Sequence, residues 1–322
     1  MRKIGVLTSG GDAPGMNAAI RSVVRKATRE GVEVLGILRG YEGLINGETM
    51  PLNSRSVSNI IGRGGTILKT ARSKEFETRA GQEKAVKTIK ENGIDGLVVI
   101  GGNGSFQGAN ILDKEWGIRN VGVPGTIDND LGYTDYTVGC STSVDTVLDA
   151  IDKIRDTVSS MERIYVIEVM GRQEPYIAVM SGLAGGAEEV LFPGMEIDYA
   201  KLTKEITEAR ARGKRSWIIV VSEGAGSAIV ISEEIGRLTG LDVRPIVLGH
   251  IQRGGSPDAS DRVLATCMGG YAVAALLKGH SGVTVSIQRR ELVLVPYEKA
   301  CFERDKDRKL HAELYRIIKE LS

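Results

Sequence analysis

Two short apolar runs, Ile4-Gly5-Val6-Leu7 and Leu97-Val98-Val99-Ile100, each end in a cluster of glycines and pass at once into a helix-like stretch. The clusters are Ser9-Gly10-Gly11-Asp12-Ala13-Pro14-Gly15 and Gly101-Gly102-Asn103-Gly104-Ser105. Two further glycine turns stand at Arg63-Gly64-Gly65-Thr66 and Arg253-Gly254-Gly255-Ser256-Pro257. A strand that ends in glycines before a helix leaves backbone N–H groups pointing at open space, and the positive end of the helix dipole adds to them. Such a junction is an anion site. A chain built on several of them is expected to handle phosphorylated small molecules.

The alternation extends along the whole chain. Strands are predicted at 3–8, 33–38, 96–100, 119–123, 163–169, 216–222, 243–248 and 283–287. Helices are predicted at 15–30, 82–92, 104–115, 140–158, 176–189, 199–213, 228–239, 257–278 and 305–320. Strands apolar on both faces that alternate with amphipathic helices imply an α/β fold with mainly parallel sheets. A length of 322 residues suggests two domains, with a crossing near 139–142. No linker-like segment separates them, which favours a cleft lined by both.

Composition narrows the partners. Forty-two Lys and Arg stand against 41 Asp and Glu, so no polycationic surface for nucleic acid or membrane is implied. Aromatics make up only 5%, which does not suit base-stacking platforms, whereas 41 glycines suit tight strand–loop–helix turns. Cys140, Cys267 and Cys301 match neither a disulfide framework nor a zinc site and imply free thiols in a reducing cytoplasm. The chain shows no signal-peptide pattern and no apolar run approaching the ~18 residues of a membrane span. A cytoplasmic protein is expected.

Val123-Pro124-Gly125-Thr126-Ile127-Asp128-Asn129-Asp130 ends an apolar strand candidate and sets two carboxylates two residues apart. In an extended backbone these lean the same way, at the strand end where parallel sheets bind ligands. One could take a hydroxyl proton while the other holds magnesium or its water shell; an ordinary Asp/Asn turn is the alternative. Arg21, Arg25 and Arg29 recur at i, i+4 and i+8 on the first helix, as a solvated face or an anion pocket. Arg163, Arg172, Arg244 and Arg253 lie at or near strand ends, where guanidinium forks can grip phosphate or pair with surface acids. His250 has a motif-like setting beside Gly249, whereas His280 and His311 look incidental.

Together these segments resemble the bacterial ATP-dependent 6-phosphofructokinases over nearly the full length. The residues that carry the resemblance are IGVLTSGGDAPGMNAAIRSVVR at 4–25, RGGTILKTAR at 63–72 and LVVIGGNGS at 97–105. They continue with GVPGTIDND at 122–130, IDKIRDT at 151–157, EVMGR at 168–172 and VLGHIQRGGSPDASDR at 247–262. GTIDND followed by GHIQRGGSP is highly specific. The resemblance implies two three-layer α/β/α domains with the active-site cleft between them. Residues 1–139 with about 252–305 would bind ATP, and 140–251 with about 306–322 would bind the sugar phosphate.

It further implies transfer of the ATP γ-phosphoryl to the 1-hydroxyl of fructose 6-phosphate, with magnesium. Asp128 would be the general base, Thr126 a contact to the moving group, and Arg72 and Arg172 its charge stabilisers. Gly11, Tyr41, Arg72, Ser73, Gly102, Asn103, Gly104 and Ser105 fall where the family binds ATP, with Asn103 and Asp130 on the metal side. Thr126, Asp128, Met170, Gly171, Arg172, Glu223, His250 and Arg253 fall where it binds sugar phosphate. Arg163 and Arg244 match arginines that reach a neighbouring subunit's site, so a homotetramer is implied. Arg21, Arg25, Arg155, Glu188, Arg212 and Lys214 match the pocket for ADP or phosphoenolpyruvate as effector. Gly104 and Gly125 stand where pyrophosphate-using relatives carry Asp and Lys, which favours ATP.

The chain departs from the family pattern at several places. Asn103 replaces a magnesium-associated aspartate; Cys140-Ser141-Thr142-Ser143 replaces Phe-x-Thr-Ala. Gln173-Glu174-Pro175-Tyr176 follows EVMGR, bringing a negative charge near the substrate phosphate, and Ser54 and Asn59 stand where Arg and Asp are common. A catalytically weakened regulatory or sugar-phosphate-binding paralogue, or a kinase with another acceptor or donor, is therefore the second reading.

Overall fold

Why the chain starts as a strand and turns into a helix is visible at its first junction. The run Lys3–Ser9 is buried along six of its seven positions, and Gly10 and Gly15 then take φ values of +87° and +101°. These left-handed conformations suit glycine, and they turn the chain into a helix with Pro14 just ahead of it. The computed structural model describes residues 1–303 and 306–322, leaving out the side chains of 158–160 and 306–308. In chain order the elements are β1 (Lys3–Ser9), α1 (Met16–Arg29), β2 (Glu33–Ile37), α2 (Gly40–Asn46), β3 (Thr49–Leu52), α3 (Arg79–Glu91), β4 (Gly96–Gly101) and α4 (Asn103–Trp116). They continue as β5 (Asn120–Pro124), α5 (Cys140–Met161), β6 (Ile164–Val169), α6 (Tyr176–Ala184), β7 (Glu189–Leu191), α7 (Tyr199–Ala211) and β8 (Trp217–Ser222). The rest are α8 (Ala228–Thr239), β9 (Val243–Val247), α9 (Ala259–Leu277), β10 (Val283–Gln288), β11 (Glu291–Pro296), α10 (Tyr297–Phe302) and α11 (Lys306–Leu321).

The chain divides into two compact units, Met1–Thr142 with Arg253–Arg304 and Ser143–Gln252 with Asp305–Ser322. The first holds a seven-stranded sheet in the order β11-β10-β5-β4-β1-β2-β3. Its five central strands are parallel and the two margins, β3 and β11, are antiparallel. Helices α1 and α9 cover one face; α2, α3, α4 and α10 cover the other around Phe106, Tyr297, Leu44 and Ile89. α1 and α9 approach closely because a Cβ on Gly269 would lie 2.7 Å from the carbonyl of Ala19. Strand order reverses between β1 and β4, which makes the space beyond their carboxyl ends the expected ligand crevice of such a sheet.

The second unit holds a wholly parallel sheet, β7-β8-β6-β9. Helices α7 and α8 pack on it around Ile219, Val221, Ile231 and Ile235, and α6 and α11 lie against β8 and β7. The α/β class with mainly parallel sheets is therefore as the periodicity predicts.

Several elements differ from the sequence expectation. The helix expected over 176–189 ends at Ala184, where Gly185 caps it and Gly186 turns at φ +62°; Glu189 then opens the short strand β7. Strands β3 and β11 and helices α2 and α10 have four to seven residues, too short for a clear period. The β10–β11 hairpin turns on Arg289 and Arg290, both at positive φ (52° and 71°). That geometry normally asks for Asn-Gly, so the arginines hide the turn. Residue 305, where the last helix was expected to begin, lies outside the described residues. No helix among the described residues is long and apolar enough to cross a membrane.

Candidate active site

The carboxyl ends of β1, β4 and β5 open onto a cavity of about 530 Å³. Its floor is the junction of the first two glycine turns. Ser105 Oγ donates to the carbonyl of Ser9 at 3.0 Å, and a Cβ on Gly101 would lie 2.5 Å from that hydroxyl. Only a glycine lets the two strand ends come so close. Gly102 is the N-cap of α4 and has no side-chain cap, so no capping oxygen takes the first-turn N–H groups, and Gly102, Asn103, Gly104 and Ser105 line the cavity. A Cβ on Gly104 would meet nothing within 4 Å, so this position leaves open room.

One wall is aromatic. Tyr41 and Phe76 stack with centroids 4.1 Å apart at 16°, and the Tyr41 hydroxyl donates to the carbonyl of Ser105 at 2.5 Å. Burial pushes the Tyr41 hydroxyl far above its ordinary range, so it stays a donor. Arg72 and Ser73 line the rim beside it. The loop carrying Thr66 and Thr70 is fixed by buried Asn17, which donates to the carbonyls of Arg63 and Gly64 at 3.0 and 3.1 Å and accepts from Ile67 N at 2.8 Å.

A second wall is the carboxylate loop. Gly125 N donates to the carbonyl of Gly101 at 2.9 Å, which extends the β4–β5 ladder one residue into the loop. Asp128 N then donates to Thr126 Oγ1, and Thr126 Oγ1 donates to Asp130 Oδ1, both at 3.3 Å. Asn129 takes φ +48°, a left-handed conformation in which its amide reaches the carbonyl of Asp135 at 3.1 Å. Thr126, Asp128 and Asp130 therefore line one cavity together with Gly11, Gly102, Asn103 and Gly104. Arg253 joins them: its guanidinium lies across Gly11, where an added Cβ would sit 1.7 Å from Nη1.

Met170, Gly171, Arg172, Glu223 and His250 occupy the carboxyl ends of β6, β8 and β9 in the second unit. Gly171 turns at φ +128° and its carbonyl accepts from the Ser222 hydroxyl. The Arg172 guanidinium is 3.5 Å from the Glu223 carboxylate and is 75% exposed. Met170 N donates to Oε1 of fully buried Gln252 at 3.1 Å. Arg163 and Arg244 are not with this group. They flank Asp242, each 2.7 Å from it, at the amino ends of β6 and β9. The length of β6 separates the two groups by roughly 20 Å.

Of the six effector candidates, four lie in the second unit. Lys214 Nζ is 3.2 Å from Glu188 beside a small cavity, and Arg155 donates to the carbonyl of Gly186 at 2.9 Å. Arg212 caps the end of α7 and is exposed. Arg21 and Arg25 lie on α1 in the first unit.

A family model described as phosphofructokinase matches residues 3–276. The chain belongs to the phosphofructokinase family. It is 54% identical over 322 residues to a Clostridium tetani protein named ATP-dependent 6-phosphofructokinase, covering all of both chains. A Clostridium botulinum (strain Loch Maree / Type A3) protein of the same name is 53% identical over the same full length. Among solved structures, phosphofructokinase from Saccharomyces cerevisiae superposes with a TM-score of 0.89 at 32% identity. All of this chain is covered there, but it spans only 48% of the yeast chain. A pyrophosphate-dependent phosphofructokinase from Marinobacter aquaeolei matches at TM-score 0.84 and 22% identity, covering 94% of this chain and 84% of that one, and speaks to the fold alone.

Within this family frame, three side chains went unassigned by sequence reasoning. Asn17 holds the 63–67 loop, Gln252 ties Met170 to the turn after β9, and Asp261 accepts from Gly139 N, Thr142 N and Thr142 Oγ1 at 2.6 to 2.8 Å. All three stand inside the segments that carry the family resemblance, which was the available signal.

Proposed function

We propose that the chain is an ATP-dependent 6-phosphofructokinase, transferring the γ-phosphoryl of ATP to the 1-hydroxyl of fructose 6-phosphate in glycolysis. The observation that carries this reading is the shared cavity, in which Asp128 faces the same space as the glycine turn opening α4. ATP is taken as the donor because the glycine turns offer N–H groups to its phosphates while Tyr41 and Phe76 supply an apolar wall. Open space at Gly104 supports the larger donor over pyrophosphate.

In the transfer step the Asp128 carboxylate accepts the proton of the sugar 1-hydroxyl. That oxygen forms the new P–O bond, the bond to the bridging oxygen of ATP breaks, and ADP leaves with the electron pair. Thr126 holds the phosphoryl group, and Arg72 and Arg172 balance its charge in transit. Arg172 is exposed and loosely paired, which suits a side chain that must reach a ligand. Met170, Gly171, Glu223, His250 and Arg253 would hold the sugar phosphate.

Magnesium is the proposed metal, and the donor set fits it. Asp128 and Asp130 supply hard oxygens to the cavity, while the described residues contain no cluster of three acidic, histidine or cysteine side chains able to cage an ion. That suits a largely hydrated cation arriving with the nucleotide. When bound, it would neutralise charge on the β- and γ-phosphate oxygens. A homotetramer in the cytoplasm completes the reading. Arg163 and Arg244, far along the sheet from Met170, would serve a neighbouring subunit. Arg21, Arg25, Arg155, Glu188, Arg212 and Lys214 would bind ADP or phosphoenolpyruvate. The second reading, a binding paralogue with weak turnover, draws on Asn103 and on Gln173-Glu174-Pro175-Tyr176 after EVMGR.

The test is a coupled assay of purified protein with ATP, Mg²⁺ and fructose 6-phosphate, run beside pyrophosphate and other ketose phosphates. Turnover is expected with ATP, and Asp128→Asn should lower kcat by about 10²–10⁴-fold. Sugar-phosphate binding by calorimetry without turnover, under any divalent ion, would replace this reading with the second one.

A further inference from the structure

Asn103 replaces a carboxylate that the family resemblance puts at the metal, yet both of its polar ends are bonded within the protein. Its Nδ2 donates to the carbonyl of Cys301 at 3.1 Å, and its Oδ1 accepts from Gln107 Nε2 at 2.5 Å. The Cys301 thiol in turn lies 3.8 Å from the Asn103 carbonyl. Cys301 belongs to α10, whose last carbonyls have no partner inside the helix. A second of these carbonyls, Ala300 O, accepts from Gly132 N at 2.8 Å. Gly132 lies two residues past Asp130, and a Cβ there would sit 2.1 Å from the carbonyl of Glu303. Next to it, the Tyr133 hydroxyl bonds the Glu303 carboxylate.

The end of α10 thus holds the first turn of α4 with one carbonyl and the loop beyond the carboxylates with another. We infer that Asn103 is a positioning residue and not a metal ligand: through α10 it sets the spacing between the glycine turn and the Asp128–Asp130 loop. An aspartate could not do this, because it has no N–H for Cys301 and would set a charged oxygen against that carbonyl. The inference rests on the kinase reading for what the two loops hold, and it places the charge of this loop on Asp128 and Asp130, which line the cavity.

The test uses full-length protein with Mn²⁺ and the non-hydrolysable β,γ-methylene analogue of ATP. Paramagnetic resonance reads Mn²⁺ affinity, and deuterium exchange reads the amides of Gly132 and Glu303. Asn103→Asp, which puts a charged oxygen at this position, should not tighten Mn²⁺ binding, whereas Asp130→Asn should lose about tenfold or more. Exchange at Gly132 should speed up by about tenfold in both Asn103→Ala and Asn103→Asp. Mn²⁺ binding about tenfold tighter in Asn103→Asp, or unchanged exchange at Gly132 in both variants, would overturn the inference. If Asn103→Ala does not fold, Asn103→Asp carries the exchange prediction alone. Neither readout requires turnover, so an inactive acceptor panel would remove the kinase reading without deciding this one.

Discussion

Gly171 and Gly104 use a missing Cβ in two separate ways. At Gly171 the backbone itself demands it: φ is +128° and an added Cβ would lie 2.6 Å from the carbonyl of Glu174. Gly171→Ala should therefore cost about 1–3 kcal/mol, read as a lower urea midpoint at unchanged slope. At Gly104 the added Cβ touches nothing, and the position is inside the first turn of α4. Gly104→Ala should gain about 0.4–1 kcal/mol of stability by restricting the unfolded chain. If the cavity holds ATP as proposed, its KM should rise in the same variant. Denaturation and steady-state kinetics together separate the two cases. Both glycines stand out in the sequence, but their reasons do not, because neither φ nor the direction of a Cβ can be read from the letters.

At the scale of elements, the start of α5 is tied to α9 most deeply by the carboxylate of Asp261, with Asp258 at the α9 N-cap bonding Ser141 beside it. Asp261 is 1% exposed and accepts from two backbone amides and a hydroxyl around Gly139 and Thr142. Burial raises its pKa, with the Thr142 and Gly139 bonds opposing that rise. Removing the side chain in Asp261→Ala leaves three donors facing a void, at a cost of about 3 kcal/mol or more. Asp261→Asn, which keeps one acceptor oxygen, should lose less; thermal unfolding of the two variants ranks them. Elements of this kind also mark the limit of what the sequence makes legible. The long periodic helices and the buried strands stand out, since their apolar spacing fixes both type and position. Helix α10 does not: six residues carry no period, yet Cys301 and Ala300 there brace both sides of the candidate site. The donor-side residues could be grouped from glycine turns and family resemblance. Asn17, Gln252 and Asp261 stand in the same family segments, but what each of them supports is not legible there, because a buried polar side chain shows its partner only once the chain has folded.

For the whole molecule, one histidine sets a direction for stability against pH. His311 is 5% exposed, edge-on to Tyr176 with centroids 6.3 Å apart, and its Nδ1 finds no hydrogen-bond partner among the described residues. Burial lowers its pKa below 6.5, so the folded chain keeps it neutral while the unfolded chain protonates it more readily. The unfolded state then binds more protons below that value. Stability present above about pH 6.5 should fall as the pH drops through the lowered folded pKa. His311→Gln should flatten the fall in melting temperature between neutral and mildly acid buffer. The larger sheet carries another global consequence at its margins. Pro51 interrupts the N–H row of β3, and Pro296 closes β11. At the β3 margin a second nascent chain meets a broken row of donors to copy. Concentrated refolding should therefore yield little strand-exchanged polymer, and Pro51→Thr should make the solution scatter more light.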